Sequence, residues 1–224
     1  CALPICIDEP NVMAQKAVEK VKLGFDTLKI KVGTGIEADI ARVKAIREAV
    51  GFDIKLRLDA NQAWTPKDAV KAIQELADYQ IELVEQPVKR RDLEGLKYVT
   101  SQVNTTIMAD ESCFDAQDAL ELVKKGTVDV INIKLMKCGG IHEALKINQI
   151  CETAGIECMI GCMAEETTIG ITAAAHLAAA QKNITRADLD ATFGLETAPV
   201  TGGVSLEAKP LLELGEAAGL GISH

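Results

Sequence analysis

Apolar and polar positions along this chain fall into two alternating patterns. Short β-like runs occur at LPICID (3–8), TLKIKV (27–32), DIKLRLD (53–59), IELVE (81–85), TTIMAD (105–110), VDVINIK (128–134), IECMIG (156–161) and ITRADLD (184–190). Longer stretches with helical spacing lie between them, from about 11 to 23, 37 to 50, and finally in the Ala-rich TTIGITAAAHLAAAQ (167–181). Strand and helix in strict alternation predict an α/β fold with a parallel sheet. The punctuation agrees. Gly24 stands where a helix-closing glycine belongs, Thr65 and Pro66 read as a cap and first turn, Asp115 can cap the next helix, and Gly139-Gly140 precede another. After the eighth run the chain turns Gly-rich (Gly194, Gly202, Gly203, Gly215, Gly219, Gly221) and shows no eighth helix of ordinary pattern. Eight strands with seven helices predict a TIM-like (β/α)7β barrel, a single domain over 1–224 with no internal linker.

Five strand-like runs end on an ionisable residue: Lys31, Asp59, Glu85, Asp110 and Lys134, at steps of 28, 26, 25 and 24 residues. A strand, its crossover helix and two loops take about a dozen or more residues beyond the strand itself, so each step is one βα unit. In a closed parallel barrel these ends meet at one mouth, where active sites lie. Asp59, Glu85 and Asp110 would repel one another there unless a cation compensates them. Oxygen donors without His or Cys favour Mg²⁺ or Mn²⁺ over zinc. Lys31 and Lys134 flank that trio on strands two and six. In KIK, strand alternation puts Lys29 on the same face as Lys31, a neighbouring cation that would depress the Lys31 pKa and make it a base. Lys137, in the loop before Gly139-Gly140, competes with Lys134. Asp188 and Asp190 form a DxD with both carboxylates on one strand face, able to hold a second metal, a cationic substrate group, or Arg186 and nearby backbone.

Composition narrows the partners. Net charge is −9, which argues against a nucleic-acid partner. No apolar run reaches the ~20 residues of a membrane span. Seven cysteines include no CxxC pair and read as reduced thiols of a cytoplasmic protein. Asn104-Thr-Thr and Asn183-Ile-Thr match a glycosylation pattern that carries no weight without a secretion signal. The chain opens at Cys1 directly before a strand, as a piece of a longer protein would.

Other signals are weaker. Gly33-Thr-Gly35-Ile-Glu-Ala38 follows a strand and opens a helix like a dinucleotide fingerprint, but its strand carries Lys29 and Lys31. His176 reads as a packed residue in an apolar helix. Trp64 either lines the mouth or packs.

KIKVG (29–33), LDAN (58–61), VEQP (84–87), ADES (109–112) and NIKLMKCGG (132–140) resemble the barrel domain of the enolase superfamily, within it the muconate-lactonizing subgroup, with a KxK on strand two and a lysine on strand six. NITRADLD (183–190) is similar to the strand-eight segment of dipeptide epimerases such as the L-Ala-D/L-Glu epimerases, where the DxD holds the dipeptide's ammonium. The resemblance implies a metal-dependent epimerase that inverts an α-carbon by two-base proton transfer through an enediolate. Lys31 and Lys134 would be the opposed bases, Lys29 the supporting cation, and a small-molecule dipeptide the substrate. A cycloisomerase, an o-succinylbenzoate synthase-like lyase and an N-acylamino-acid racemase of the same subgroup are the alternatives, and a homo-oligomer stays open. Members also carry an N-terminal α+β capping domain, of which this chain shows nothing. Met163-Ala-Glu165-Glu166 has two acids where related epimerases show one, so neither is assigned.

Overall fold

The β-like runs become eight parallel strands: β1 (Leu3–Ile5), β2 (Thr27–Lys31), β3 (Lys55–Asp59), β4 (Ile81–Glu85), β5 (Thr106–Ala109), β6 (Val130–Lys134), β7 (Glu157–Gly161) and β8 (Ile184–Asp188). They pair in simple chain order, β1 through β8. The amide of Ala2 donates to the carbonyl of Ala187 at 3.0 Å, joining the last strand to the approach to the first and nearly closing the barrel. This computed structural model describes residues 2–164, 166–191, 200–204 and 210–223.

Each crossover is helical, as parallel pairing requires: α1 (Pro10–Lys22), α2 (Ile36–Val50), α3 (Pro66–Glu75), α4 (Leu93–Gln102) and α5 (Ala116–Lys125). After β6 come α6 (Leu135–Cys138) and α7 (Ile141–Thr153), and α8 (Thr168–Ala180) precedes β8. The expected seven helices are therefore corrected to eight among the described residues. The extra one is the single turn α6, stopped by Gly139 in the left-handed conformation at φ 84°. Local capping follows the sequence elsewhere: the Thr65 hydroxyl accepts from the Asp68 amide, and the Asp115 carboxylate accepts from those of Gln117 and Asp118. Strands three and eight are shorter than their apolar runs, because the ladder extends only where a neighbour is in register. The described part of the Gly-rich tail holds an antiparallel ribbon of β9 (Thr201–Gly202) and β10 (Ile222–Ser223), docked on α8 where Val204 donates its amide to the Thr172 hydroxyl. Gly194 lies outside the described residues. No described helix is long and apolar enough to cross a membrane.

Two apolar cores result from strand alternation. The larger lies between sheet and helices and includes Leu28, Ile30, Leu58, Val84, Ile107, Ile131 and Ile160. A small separate cluster of Leu83, Met108, Val130 and Met159 fills the barrel interior. It is the floor on which the mouth residues stand.

Candidate active site

Two residues beyond the interior cluster, the inward positions turn polar. Leu83 is followed by Glu85, Met108 by Asp110, Val130 by Asn132 and Lys134, and Met159 by Gly161. Lys31, Asp59 and Glu85 are direct register neighbours across β2, β3 and β4. Asp59 is fully buried, Glu85 1% and Asp110 3% exposed. Charges buried this deeply demand partners.

Those partners are lysines. Lys29 Nζ lies 3.1 Å from Asp59, 2.8 Å from Glu85 and 2.8 Å from Asp188. Lys31 donates to Asp59 at 2.6 Å and to Asn61 Oδ1 at 2.8 Å. Lys134 donates to Asp110 Oδ2 at 2.6 Å, and Lys137 to its Oδ1 at 2.7 Å. Burial opposes ionisation of Asp59, but Lys29 and Lys31 outweigh it and hold the carboxyl below its usual range. Asp110 is likewise driven down by Lys137 and Lys134 against its burial. Glu85 goes the other way: burial, then the nearby Asp59 charge, push it up to about 7. Burial pulls Lys134 down, yet Asp110 and Glu85 outweigh this and raise it.

Several expectations need correction. Lys29 is not an uncompensated cation. Its burial is outweighed by Asp188, Glu85 and Asp59, which raise it well above the ordinary lysine value. Lys137 is in α6 rather than a loop, and it binds Asp110 and the Asn132 carbonyl. Asp188 ends β8 with Oδ2 on Lys29, whereas Asp190 lies past the strand, its Oδ1 accepting from the Cys162 thiol at 3.6 Å. Burial and then Asp188 push Asp190 up to about 6. Trp64 packs, 5% exposed, with its indole N–H on Asp39. That same Asp39 accepts the amides of Gly33 and Thr34, the donors a phosphate would need at the glycine motif. Glu165 lies outside the described residues. Glu166 is 4% exposed and accepts the Met163 amide, a loop-building contact.

Three residues escaped the sequence reading. Gln86, fully buried at φ 38°, accepts the amides of Asp110 and Ser112 and so shapes the Asp110 loop. Asn61, at φ 42°, receives Lys31. Asn132 donates to Glu85 Oε1 at 2.8 Å. Of these only Asn132 left a legible trace, at inward parity two positions before Lys134. Backbone strain of this kind among non-glycine residues clusters at functional sites.

As they stand, no three described His, Cys, Asp or Glu side chains are gathered to hold a metal ion. The lysine ammoniums take the carboxylate oxygens instead. The donor chemistry still fits a hard divalent cation, being all oxygen on three successive strand ends, with Glu85 left protonatable by its burial and then by the Asp59 charge. Beside this row opens a cavity of about 320 Å³ lined by Asp110, Lys134, Lys137, Phe114, Met136 and Met163. That volume suits a small organic molecule.

Residues 12–224 match the family described as Enolase C-terminal domain-like. The chain belongs to that family. It is 51% identical over 221 residues to the L-Ala-D/L-Glu epimerase of Bacillus subtilis, covering 97% of this chain and 60% of that protein. It is 48% identical over 222 residues to the enzyme of the same name from Clostridium acetobutylicum, covering 98% and 62%. A solved dipeptide epimerase from Enterococcus faecalis V583, complexed with Mg and L-Leu-L-Tyr, superposes with TM-score 0.99 at 97% identity, covering 100% of this chain and 63% of that one. This member of the enolase C-terminal domain-like family thus spans about three-fifths of the length of these relatives.

Proposed function

We propose that the protein carrying this chain is a Mg²⁺-dependent dipeptide epimerase. The observation that carries the reading is the placement of two amines at the ends of one carboxylate row: Lys31 on Asp59, Lys134 on Asp110, Glu85 between. Asp59, Glu85 and Asp110 would hold the cation. Bound there, Mg²⁺ supplies positive charge that neutralises the substrate's α-carboxylate and acidifies the adjacent Cα–H. One lysine then takes the α-proton and the other returns a proton to the opposite face, inverting the centre. Lys134 must first be neutral, and Asp110 is the leading charge that raises it; compensation of Asp110 removes that cause. Lys29, caged by Asp59, Glu85 and Asp188, stays charged and holds the row in place. At the far side Asp190 awaits a cation, which the free ammonium of a dipeptide provides.

Incubation with a dipeptide library in D₂O tests the reading. The expected result is epimerisation with one solvent deuterium at the α-carbon, abolished by EDTA. Turnover in metal-free buffer overturns the metal site. Preference for N-acetylated substrates moves the reading to an N-acylamino-acid racemase, and loss of water without epimerisation moves it to a lyase.

A further inference from the structure

Asn132 occupies a position where an apolar side chain would serve packing better. It is fully buried in the run VINIK, with Val130, Ile131 and Ile133 around it. Its amide makes one side-chain hydrogen bond, Nδ2 to Glu85 Oε1 at 2.8 Å. Its Oδ1 has no donor among the described residues. A buried carbonyl left unpaired opposes folding. The single bond to Glu85 is what this side chain provides.

The neighbouring strand is shaped to admit it. Gly161 ends β7 in ordinary strand conformation, so its backbone does not require glycine. Space does. A Cβ on Gly161 would stand 2.7 Å from Asn132 Oδ1 and 2.9 Å from Nδ2, closer than real contacts allow. The second oxygen of Glu85 is ion-paired with Lys29 Nζ at 2.8 Å, so Asn132 and Lys29 each hold one oxygen of the carboxylate.

We propose that Asn132 is a positioning residue that orients the Glu85 carboxylate toward a hard divalent cation, and that Gly161 lacks a side chain to leave room for the Asn132 amide. This rests on the reading of Asp59, Glu85 and Asp110 as the cation's ligands.

Mn²⁺ binding, followed by electron paramagnetic resonance on the full chain, tests it together with metal-free melting curves. Partners that orient metal ligands typically contribute about 10–100-fold in metal affinity. Asn132→Leu, near in size but without the donor, should weaken Mn²⁺ by about that factor while its metal-free Tm holds or rises. Gly161→Ala should weaken Mn²⁺ through the displaced amide. Added to Asn132→Ala, which removes that amide, Gly161→Ala should cause no further loss beyond about twofold, because coupled sites are non-additive. Native binding with both single variants unaffected overturns this inference alone. Multiplying losses in the double variant, or losses tracked by a collapse of the metal-free Tm in both singles, assign Asn132 to packing and overturn it too. Failure of the native chain to bind Mn²⁺ overturns the ligand reading and this inference with it.

Discussion

The two ends of the barrel interior obey the same alternation and reach opposite outcomes. At the lower end Leu83, Met108, Val130 and Met159 pack as a closed apolar cluster. The charged groups there form a short chain of ion pairs in less deep burial: Arg57 with Glu82 at 2.6 Å, and Arg186 with Glu82 at 3.7 Å and with Glu157 at 2.5 Å. One strand period higher, Glu85, Asp110, Asn132 and Lys134 replace those apolar residues, and the shared charges are buried more deeply. Lys29 serves three carboxylates, while Asp110 takes two lysines. Asn132 Oδ1 and Asp188 Oδ1 are buried acceptors with no donor among the described residues; at the lower end Arg186 Nε also makes no hydrogen bond, but the Glu82 carboxylate lies 3.7 Å away. A buried acceptor with neither donor nor opposite charge at hand costs stability. The lower half holds the scaffold, and the upper half holds charge ready for a ligand.

The largest expected effect comes from cutting the upper half. A positioned general acid–base group contributes about 10²–10⁴-fold. Lys134→Ala should lower kcat for epimerisation by that factor and abolish α-proton exchange from one epimer only, the other still exchanging through Lys31. Lys137 keeps its hold on Asp110, so the melting curve should move little. Native-rate interconversion by this variant would remove Lys134 from the chemistry.

Cutting the lower half should give the reverse. Met108 is fully buried in the interior cluster, and truncating such a side chain to Ala costs about 2–5 kcal/mol through lost burial and the cavity left behind. Met108→Ala should unfold at lower denaturant while kcat per folded molecule stays within about twofold. Urea titration with activity measured below the transition separates the two. A kcat loss without a stability loss would mean that the two ends are not independent.

Much of this division is readable from residue order. Lys31, Asp59 and Glu85 close their apolar runs at the strand ends, so period two alone places them at one level of the mouth. Helix starts were readable where chemistry is local, as at Thr65 and Asp115. What escaped depends on contacts distant in sequence. Lys29 reads as a free cation until Asp188, 159 residues away, is folded against it. Gln86 looks like a strand-ending polar residue, and only the fold shows it buried and clasping the Asp110 loop. Lys137 looks like a loop lysine because a one-turn helix has no periodicity to detect. Gly161 carries no positive φ, so its reason is the Asn132 amide beside it, invisible without the neighbouring strand.

The smallest effect sharpens the same contrast through pH. Asp190 is raised from 3.8 to about 6 by burial and by Asp188, with Lys29 acting the other way and the Cys162 thiol against it. A carboxyl whose folded pKa exceeds its unfolded value binds its proton more tightly when folded. Its ionisation therefore opposes folding, and stability is lost as pH rises from about 4 through about 6. Asp190→Asn cannot ionise. Its Tm should exceed the native value at pH 7.5, converge with it near pH 4, and change less across that window, while epimerisation of free-amine dipeptides falls. The gain in stability with a loss of function is the mark of a charge kept for a ligand. A variant less stable than native at pH 7.5 would instead mean that Asp190 already has a partner in the folded protein, and that its charge is not kept for a ligand.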